Sequence, residues 1–327
     1  MKKVLVLASV ASMIDQFNMP FIKLLKEMGY KVDVACNFKQ GNTCTDEKVN
    51  QFQEKLSLMG VDYFQIDFAR DIAHMRQNIR AYKQVKELLL EKDYVFIHCH
   101  SPIGGAFGRL TGHKTKTKVI YTAHGFHFYK GAPLKNWLLY YPVEKLLSRW
   151  TDVLITINKE DYMLAKNKMH AKKVYYVPGV GIDVVKFANK MVDKDKKRAE
   201  LGVPTDAFLL LSVGEINKNK NHEVVIRVLA KIKDEKIHYA IAGQGKLKKY
   251  LCKLATDLGI ADRVHLLGYR TDIAELYKAA DVCVFPSIRE GFGLAAIEGM
   301  ACGLPLIGSN NRGTGEYLEN GKNGFVC

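Results

Sequence analysis

Short runs of apolar and β-branched residues alternate with longer amphipathic stretches along nearly the whole chain. In the first half we interpret the apolar runs as strands at Val4–Ala8, Lys31–Ala35, Tyr94–His98, Lys118–Thr122, Val153–Ile157 and Val174–Val177. In the second half they lie at Phe208–Val213, Tyr239–Ala242, Val264–Leu267, Val282–Phe285 and Pro305–Ile307. Helical patterns separate them at Pro20–Met28, Ile72–Glu91, His222–Lys233, Lys246–Leu258, Asp272–Ala279 and Leu294–Cys302. Apolar strands alternating with helices predict an α/β protein of doubly wound, Rossmann-like parallel-sheet domains.

The division of the chain follows from its length and from one polar stretch. A chain of 327 residues is typical of two domains. Residues 184–204 are the most polar segment, and they follow the turn-rich sequence PGVGID. We therefore predict a hinge just after Asp183, with domains at residues 1–183 and 184–327. Because such domains bind ligands at the carboxyl ends of their strands, we expect the chemistry in a central cleft that both domains face.

The composition is that of a globular protein, and several features exclude particular classes. No apolar run reaches the length of a membrane-spanning helix. The seven cysteines are scattered without a CxxC pair, which favours a reducing cytoplasm over a disulfide framework or a zinc site. The opening MKKVLVLASVAS has the pattern of a short signal peptide, but a helix and a strand continue it as one unit. We therefore interpret it as a buried first strand.

The charge is uneven along the chain. The net charge is +15, of which +9 lies in residues 1–150, +4 in 151–200 and +2 in 201–327. A basic half is typical of a protein with an anionic partner, either nucleic acid, a phosphorylated substrate or an acidic membrane, but it also fits a merely soluble basic protein. Arg76, Arg80 and Lys83 share one helix face, which is either a solvated surface or a membrane contact. Residues 135–150 mix aromatic, leucine and basic residues, and fit a core-facing helix kinked at Pro142 or a membrane-surface helix.

The densest candidate site is a glycine-rich turn that follows the strand Val282–Phe285. Gly291 and Gly293 allow close approach of the backbone to a ligand, and the next helix offers N–H groups and a positive dipole end to a phosphate. Glu290 and Glu298 supply carboxylates, which accept hydrogen bonds from paired hydroxyls of a sugar or ribose. The alternative is a plain glycine turn in which Glu290 only neutralises the helix dipole.

A second candidate is the segment SVGEINKNKNH, in which a strand ends, a glycine turn follows, and two lysines precede a helix. Lys218 and Lys220 at such a turn fit a phosphate-binding arrangement, although the motif is weak. The alternative is a solvated basic loop.

Three histidines follow predicted strands in the first half. His98, His100 and His124 lie where strand ends converge, so a metal site is conceivable. No acidic or cysteine ligands with metal spacing accompany them, and we predict no metal. A hydrogen-bonding or proton-handling role is the better interpretation.

The run EGFGLAAIE, residues 290–298, resembles the signature of retaining GT-B glycosyltransferases of family four. The segments SVGEINKNKNH, LLGYRTDI and RGTGEYLENGKNGFV support the resemblance. Through HCHSPIGG, YTAHGFHFYKGAP and TINKEDYMLA, the first half is similar to the subgroup that builds bacterial capsular and exopolysaccharide repeat units on lipid carriers. The resemblance implies transfer of a sugar, with retention, from a nucleotide-diphosphate sugar (UDP-linked) to a lipid-linked, polyprenyl diphosphate saccharide. The acceptor would bind the first domain and the nucleotide sugar the second.

The resemblance also implies roles for individual residues. Glu290 would hold hydroxyls of the donor sugar, Lys220 would neutralise the leaving diphosphate, and His124 would contact the donor sugar beside the reacting carbon. Further donor-binding residues would be Gly291, Phe292, Gly293, Leu294, Glu298, Lys218, Tyr269 and Arg270. The acceptor side would include Ser12, Met13, Gln16 and Asn18. An anionic membrane would meet Arg76, Arg80 and Lys83. No metal, cofactor or nucleic acid is implied, and we expect a cytoplasmic protein held peripherally at the inner face of the cell membrane.

Three departures from the family pattern keep other functions open. Glu215 stands where the family often has arginine, and Ser12 and Met13 stand where many members have two glycines. The sequence ends at Cys327, where members usually continue, so we expect a truncated chain. The alternatives are a GT-B nucleotide-sugar epimerase or hydrolysing enzyme, and a non-catalytic nucleotide-sugar-binding protein.

Overall fold

The structure is a computed structural model that describes residues 2–69 and 74–327. The chain divides into two compact units, Met1–Val180 and Gly181–Cys327. Each unit has its own parallel sheet with helices on both faces. The fold is therefore the α/β class with two doubly wound, Rossmann-like domains that the strand pattern predicted.

The first unit is built from alternating strands and helices. Its strands are β1 (Lys3–Val10), β2 (Lys31–Asn37), β3 (Asp62–Gln65), β4 (Tyr94–His100), β5 (Lys118–Ala123), β6 (Val153–Thr156) and β7 (Lys173–Tyr176). Its helices are α1 (Ala11–Phe17), α2 (Met19–Glu27), α3 (Asp46–Leu58), α4 (Met75–Glu91), α5 (Pro102–Thr115), α6 (Leu134–Ser148) and α7 (Lys159–Lys168). The helix predicted at Ile72–Glu91 corresponds to α4, and its predicted first residues, Ile72 and Ala73, lie outside the described residues.

The strand order in this sheet is β3-β2-β1-β4-β5-β6-β7, and the paired strands are parallel. The order runs one way from β1 to β3 and the other way from β4 to β7. The topological switch point therefore lies between β1 and β4, where doubly wound folds place their ligands beyond the carboxyl ends of the strands.

The side chains of strand β1 pack in a core on each face of the sheet. Residues 4–8 are fully buried, and their side chains alternate between the two faces of the sheet. Val4, Val6 and Ala8 pack in the core formed with α1, α2 and α3. Leu5 and Leu7 pack on the opposite face, in a core that α4 and α5 help to form.

The glycines of α5 leave no room for side chains between the helix and the sheet. A Cβ added at Gly108 would lie 2.1 Å from Cys99 Sγ, and one added at Gly105 would lie 2.3 Å from the ring of Tyr121. The buried Arg109 then reaches Glu144 of α6 through two hydrogen bonds of 2.7 and 3.1 Å. This ion pair fixes which face of α6 points toward the core.

The second unit repeats the plan on a smaller scale. Its strands are β8 (Phe208–Val213), β9 (Ile237–Ala242), β10 (Val264–Gly268), β11 (Val282–Phe285), β12 (Leu306–Gly308) and β13 (Gly324–Val326). Its helices are α8 (Val184–Ala188), α9 (Lys194–Glu200), α10 (His222–Leu229), α11 (Lys248–Asp257), α12 (Ile273–Ala279) and α13 (Leu294–Ala301). The order β10-β9-β8-β11-β12-β13 places the switch point between β8 and β11.

The helices can also be compared with the dimensions of a bilayer. Over the described ranges, none is both long and apolar enough to cross a membrane.

Candidate active site

The turn between β11 and α13 is shaped by glycine. Gly293 has φ +91°, and a Cβ there would lie 2.8 Å from both the Phe285 ring and the Tyr317 hydroxyl. Tyr317 Oη donates to the Gly293 carbonyl at 3.2 Å, and Phe292 packs edge-on against the Tyr317 ring. The helix α13 begins at the next residue, Leu294. The glycine-rich turn therefore leads directly into the first residues of α13. Free backbone N–H groups at such a helix start are the groups that bind phosphate.

Lys220 and Glu290 meet at the switch point of the second unit, although 70 positions separate them. Lys220 follows β8 and Glu290 follows β11, and the Nζ–Oε1 distance is 2.6 Å. The lysine stem lies over Gly214, where an added Cβ would be 3.2 Å from Lys220 Cε, and Nζ lies 4.8 Å from the centre of the Phe285 ring. A cation and a carboxylate are thus fixed side by side, one suited to phosphate oxygens and the other to hydroxyls.

Glu298 is half-buried on α13 and differs from Glu290 in its surroundings. Glu290 pairs with Lys220, whereas no described side chain hydrogen-bonds to the Glu298 carboxylate. Burial raises the pKa of Glu298 to about 7, and the positive charge of Lys186 opposes this rise. Such a carboxylate is ready to accept hydrogen bonds that the protein itself does not supply.

Three other predicted donor-binding side chains are either exposed or already paired with carboxylates. Lys218 is exposed in the loop after β8, and Tyr269 is exposed after β10. The Arg270 guanidinium bonds to Asp272 at 2.8 Å and to Glu200 at 2.5 Å, so its charge is already matched by carboxylates. The hydrogen bond from Arg270, with a second one from Lys197, holds the pKa of Asp272 well below its usual range. Glu215, at the position where the family often has arginine, is exposed.

In the first unit, three histidines gather at the carboxyl ends of β4 and β5. His100 Nδ1 lies 3.0 Å from His124 Nε2, and His98 Nε2 lies 2.8 Å from Thr122 Oγ1. The parallel register pairs His100 with Thr122, which places His124 just past the strand end. Burial lowers the pKa of His98 to about 3 and that of His124 to about 4, so both rings are neutral at pH 7.

The residues predicted on the acceptor side differ in accessibility. Ser12 is buried and accepts a hydrogen bond from the backbone of Thr43, and Asn18 is buried against His100. Met13 is half-buried, and Gln16 is exposed. In their present conformation only Met13 and Gln16 offer surface to an acceptor. The predicted membrane residues Arg76, Arg80 and Lys83 are all exposed on α4.

Two family models match the chain in succession. Residues 3–158 match the family described as "Glycosyl transferase 4-like", and residues 193–327 match "Glycosyl transferases group 1". A protein of Bacillus subtilis (strain 168) that bears the provisional designation glycosyltransferase EpsD is 39% identical over 332 aligned positions, which cover 99% of this chain and 83% of that protein. The chain belongs to this glycosyltransferase family.

A second relative of the glycosyltransferase comes from Escherichia coli. It is named UDP-Gal:alpha-D-GlcNAc-diphosphoundecaprenol alpha-1,3-galactosyltransferase, and it is 31% identical over 263 positions. The match covers 78% of the glycosyltransferase and 67% of that protein.

Solved structures with the same fold align with all residues of this chain. Anabaena Alr3699/HepE, crystallised with UDP and glucose, matches with a TM-score of 0.79 at 20% identity and covers 100% of this chain and 85% of its own. Sucrose-phosphate synthase from Thermosynechococcus elongatus matches with a TM-score of 0.77 at 19% identity, covering 100% and 86%. These likenesses establish the GT-B fold of the glycosyltransferase.

The loop around Gly313 is part of the second-unit site, and it was not among the predicted site residues. A Cβ on Gly313 would lie 2.8 Å from Glu290 Cβ, so this loop packs directly behind the carboxylate. Thr314 is buried, and its Oγ1 donates to the Ser309 carbonyl at 2.5 Å. The glycine spacing in RGTG was the available signal, because a glycine that admits a neighbouring backbone is needed at such a contact.

Proposed function

We propose that this glycosyltransferase moves a sugar, with retention of anomeric configuration, from a UDP-linked donor to a lipid-linked saccharide during synthesis of a bacterial surface polysaccharide. The observation that carries the proposal is the Lys220–Glu290 pair, 2.6 Å apart beside the glycine-built start of α13. The pair offers a cation for a diphosphate and a carboxylate for sugar hydroxyls at one switch point.

The donor would use each of these groups in a different way. The α13 start and Lys220 would bind the diphosphate, and Glu290 would accept hydrogen bonds from the sugar hydroxyls. Glu298, half-buried and without a protein donor, would accept hydrogen bonds from the ribose. The second domain, residues 184–327, would therefore be the donor domain, and residues 1–183 the acceptor domain.

The reaction would proceed by departure of the nucleotide diphosphate from the anomeric carbon. Negative charge develops on the leaving oxygen, and Lys220 with the helix-end amides would stabilise it. This removes the need for a metal, and we propose that the enzyme is metal-independent and uses no cofactor. His124 would contact the donor sugar. The acceptor hydroxyl would attack the face that the diphosphate leaves and would pass its proton to the departing diphosphate oxygen. We assign no protein nucleophile.

The names of the relatives support the choice of substrates. The Escherichia coli relative is named for a UDP-sugar donor and a diphosphoundecaprenol acceptor, and the Anabaena protein was crystallised with UDP and glucose. The relative named glycosyltransferase EpsD, of which the alignment covers 83%, supports glycosyl transfer as the reaction. We extend these properties to this chain as part of the proposal.

A lipid-linked acceptor requires contact with a membrane, and two surfaces of the first unit fit this. On α4, Arg76, Arg80 and Lys83 are exposed beside Ile79, which is 50% exposed. On α6, the Glu144–Arg109 pair turns one face inward, which leaves Leu134 and Leu138 73% and 67% exposed next to the exposed Lys135. Basic and apolar side chains together suit an anionic lipid surface. We propose peripheral binding at the inner face of the cell membrane, with α4 as the first contact.

Labelled nucleotide sugars, offered with and without a polyprenyl diphosphate saccharide, test the proposal. Label that enters lipid only when the acceptor is present supports it. Conversion without acceptor would favour the epimerase or hydrolysing enzyme instead, and binding without turnover would favour a non-catalytic protein. Transfer that persists in EDTA supports metal independence, whereas transfer that EDTA abolishes and added metal restores contradicts it.

A further inference from the structure

A buried hydrogen-bonded chain leads to His124 from behind the strand ends of the first unit. Asn18 and His100 are 2% and 3% exposed, whereas His124 is half-buried. Asn18 Nδ2 lies 2.9 Å from His100 Nε2 and, less closely, 3.3 Å from Nδ1. His100 Nδ1 lies 3.0 Å from His124 Nε2. No described residue hydrogen-bonds to the remaining nitrogen, His124 Nδ1.

The direction of hydrogen bonding along this chain follows from its first member. In the structure the Asn18 amide turns Nδ2 toward His100 and leaves its Oδ1 buried without a partner among the described residues. An amide nitrogen only donates, so in this orientation His100 Nε2 accepts from Asn18. A neutral imidazole has one donor and one acceptor, so His100 Nδ1 carries the hydrogen and donates to His124 Nε2. His124 must then carry its own hydrogen on Nδ1. Burial lowers the pKa of His100 well below its usual value, and that of His124 to about 4, so both rings are neutral at pH 7.

We propose that Asn18 and His100 are positioning residues that hold His124 as its Nδ1–H tautomer, so that it presents an N–H donor to an oxygen of the donor substrate. The use of that donor rests on the proposed function, but the tautomer itself does not. The proposal also gives Asn18 a role that its burial permits, in place of direct contact with an acceptor. A free neutral histidine favours the Nε2–H form, so the protein must impose the opposite one.

Long-range ¹H–¹⁵N correlation spectra of the ¹⁵N-histidine-labelled protein, without substrate at pH 7, read the tautomer directly. The ten histidines are resolved by assigning His124 through the loss of its signals in His124→Asn. We expect His124 to carry its hydrogen on Nδ1. The Nε2–H form in the parent would overturn the proposal and leave the proposed function untouched.

Asn18→Asp is the sharpest variant because it keeps the size of the side chain and reverses the chain of hydrogen bonds. A carboxylate accepts from His100 Nε2–H, His100 Nδ1 then accepts from His124, and His124 switches to Nε2–H. Asn50→Asp makes the same change of charge on an exposed position of α3, and we expect it to leave the tautomer unchanged. An unchanged tautomer in folded Asn18→Asp would contradict the proposal.

Two variants of His100 separate positioning from mere packing. In His100→Gln the amide can still donate to His124, so we expect the Nδ1–H form to persist, whereas His100→Leu should lose it. His238→Leu serves as control, because it removes a similar bond of 2.9 Å to His265 in the second unit. If His100→Leu and His100→Gln give the same tautomer, His100 does not set it, and the proposal fails. This comparison also stands if Asn18→Asp does not fold.

The kinetic consequence is tested by transfer assays on the same variants. We expect Asn18→Asp and His100→Leu to lower kcat about tenfold, as for one lost hydrogen bond in the transition state, with a smaller change in KM. His100→Gln should restore most of the rate. A normal kcat in a variant whose His124 is in the Nε2–H form would refute the functional part of the proposal.

Discussion

If Glu298 binds the donor ribose as proposed, its raised pKa should make donor binding depend on pH in a definite direction. Burial raises this pKa to about 7, and only the ionised carboxylate accepts hydrogen bonds from both ribose hydroxyls. About nine-tenths of the groups are ionised at pH 8 and about one-tenth at pH 6, so donor affinity should fall about tenfold over that range. The histidine His222, near Lys220, does not interfere, because burial lowers its pKa to about 4.

Isothermal titration calorimetry with an intact UDP-sugar measures this dependence, since its diphosphate has no proton to lose near pH 7. We expect the tenfold change in the parent and in Glu319→Gln, an exposed glutamate of the same unit. In Glu298→Gln the affinity should be weaker at pH 8 and nearly independent of pH. Equal pH dependence in the parent and in Glu298→Gln would refute the role of this carboxylate.

The same pKa has a consequence for stability with the opposite slope. In the unfolded chain the carboxyl ionises near its ordinary value of 4.5, whereas in the folded protein it ionises near 7. The folded state therefore binds more protons between these values, and its stability falls as pH rises through this window. Glu298→Gln should be more stable than the parent above pH 7, by at most about 3 kcal/mol, with no difference near pH 4.5. Urea unfolding at pH 8 measures the gain, and a variant less stable than the parent there would contradict the pKa.

Three further predictions concern other parts of the molecule. Glu290→Gln should lower the rate of transfer roughly 30- to 1000-fold, or about 2–4 kcal/mol, because it removes a charged acceptor and unpairs Lys220. Near-normal turnover in this variant would contradict the site, and Glu319→Gln is the control variant. Arg76→Glu with Arg80→Glu should weaken flotation with anionic vesicles at low salt by more than about thirtyfold, because the loss of two basic residues costs about 2 kcal/mol and the two new carboxylates are also repelled. Binding equal to that of Lys248→Glu with Lys249→Glu, an exposed pair on α11, would exclude the α4 contact. Gly108→Ala should destabilise the first unit by about 1–3 kcal/mol in urea unfolding, since the new methyl would meet Cys99 Sγ at 2.1 Å. The control Gly315→Ala, whose new methyl has no atom within 4 Å, should destabilise far less; equal destabilisation by the two variants would show that α5 can move away from the sheet.

Periodicity predicted the central strands because burial on both faces leaves a plain apolar run. Residues 4–8, which the pattern marked, are fully buried in β1. The edge strand β3 was not predicted, because its sequence, DYFQ, is partly polar and its residues are partly exposed. The helix α5 escaped because its four glycines disfavour a helix locally, and only the contact with the sheet explains them.

The candidate site was predictable as residue types but not as contacts. The turn glycines and flanking glutamates were visible in EGFGLAAIE, yet the Lys220–Glu290 pair depends on β8 and β11 being neighbours, which no local pattern reports. Local sequence also gave no sign that Arg270 would pair with Glu200, 70 positions earlier. Burial of Asn18 depends on the packing of the α1–α2 junction against β4, which is equally nonlocal.

The most direct test of the central claim is the configuration of the glycosidic bond that the enzyme makes. The purified protein is incubated with an α-linked UDP-sugar and a polyprenyl diphosphate saccharide, and the anomeric proton of the product is identified by NMR. The account predicts an α-linked product that forms only with acceptor and is lost in Glu290→Gln. A β-linked product would contradict retention, and a product that forms undiminished in Glu290→Gln would contradict the site.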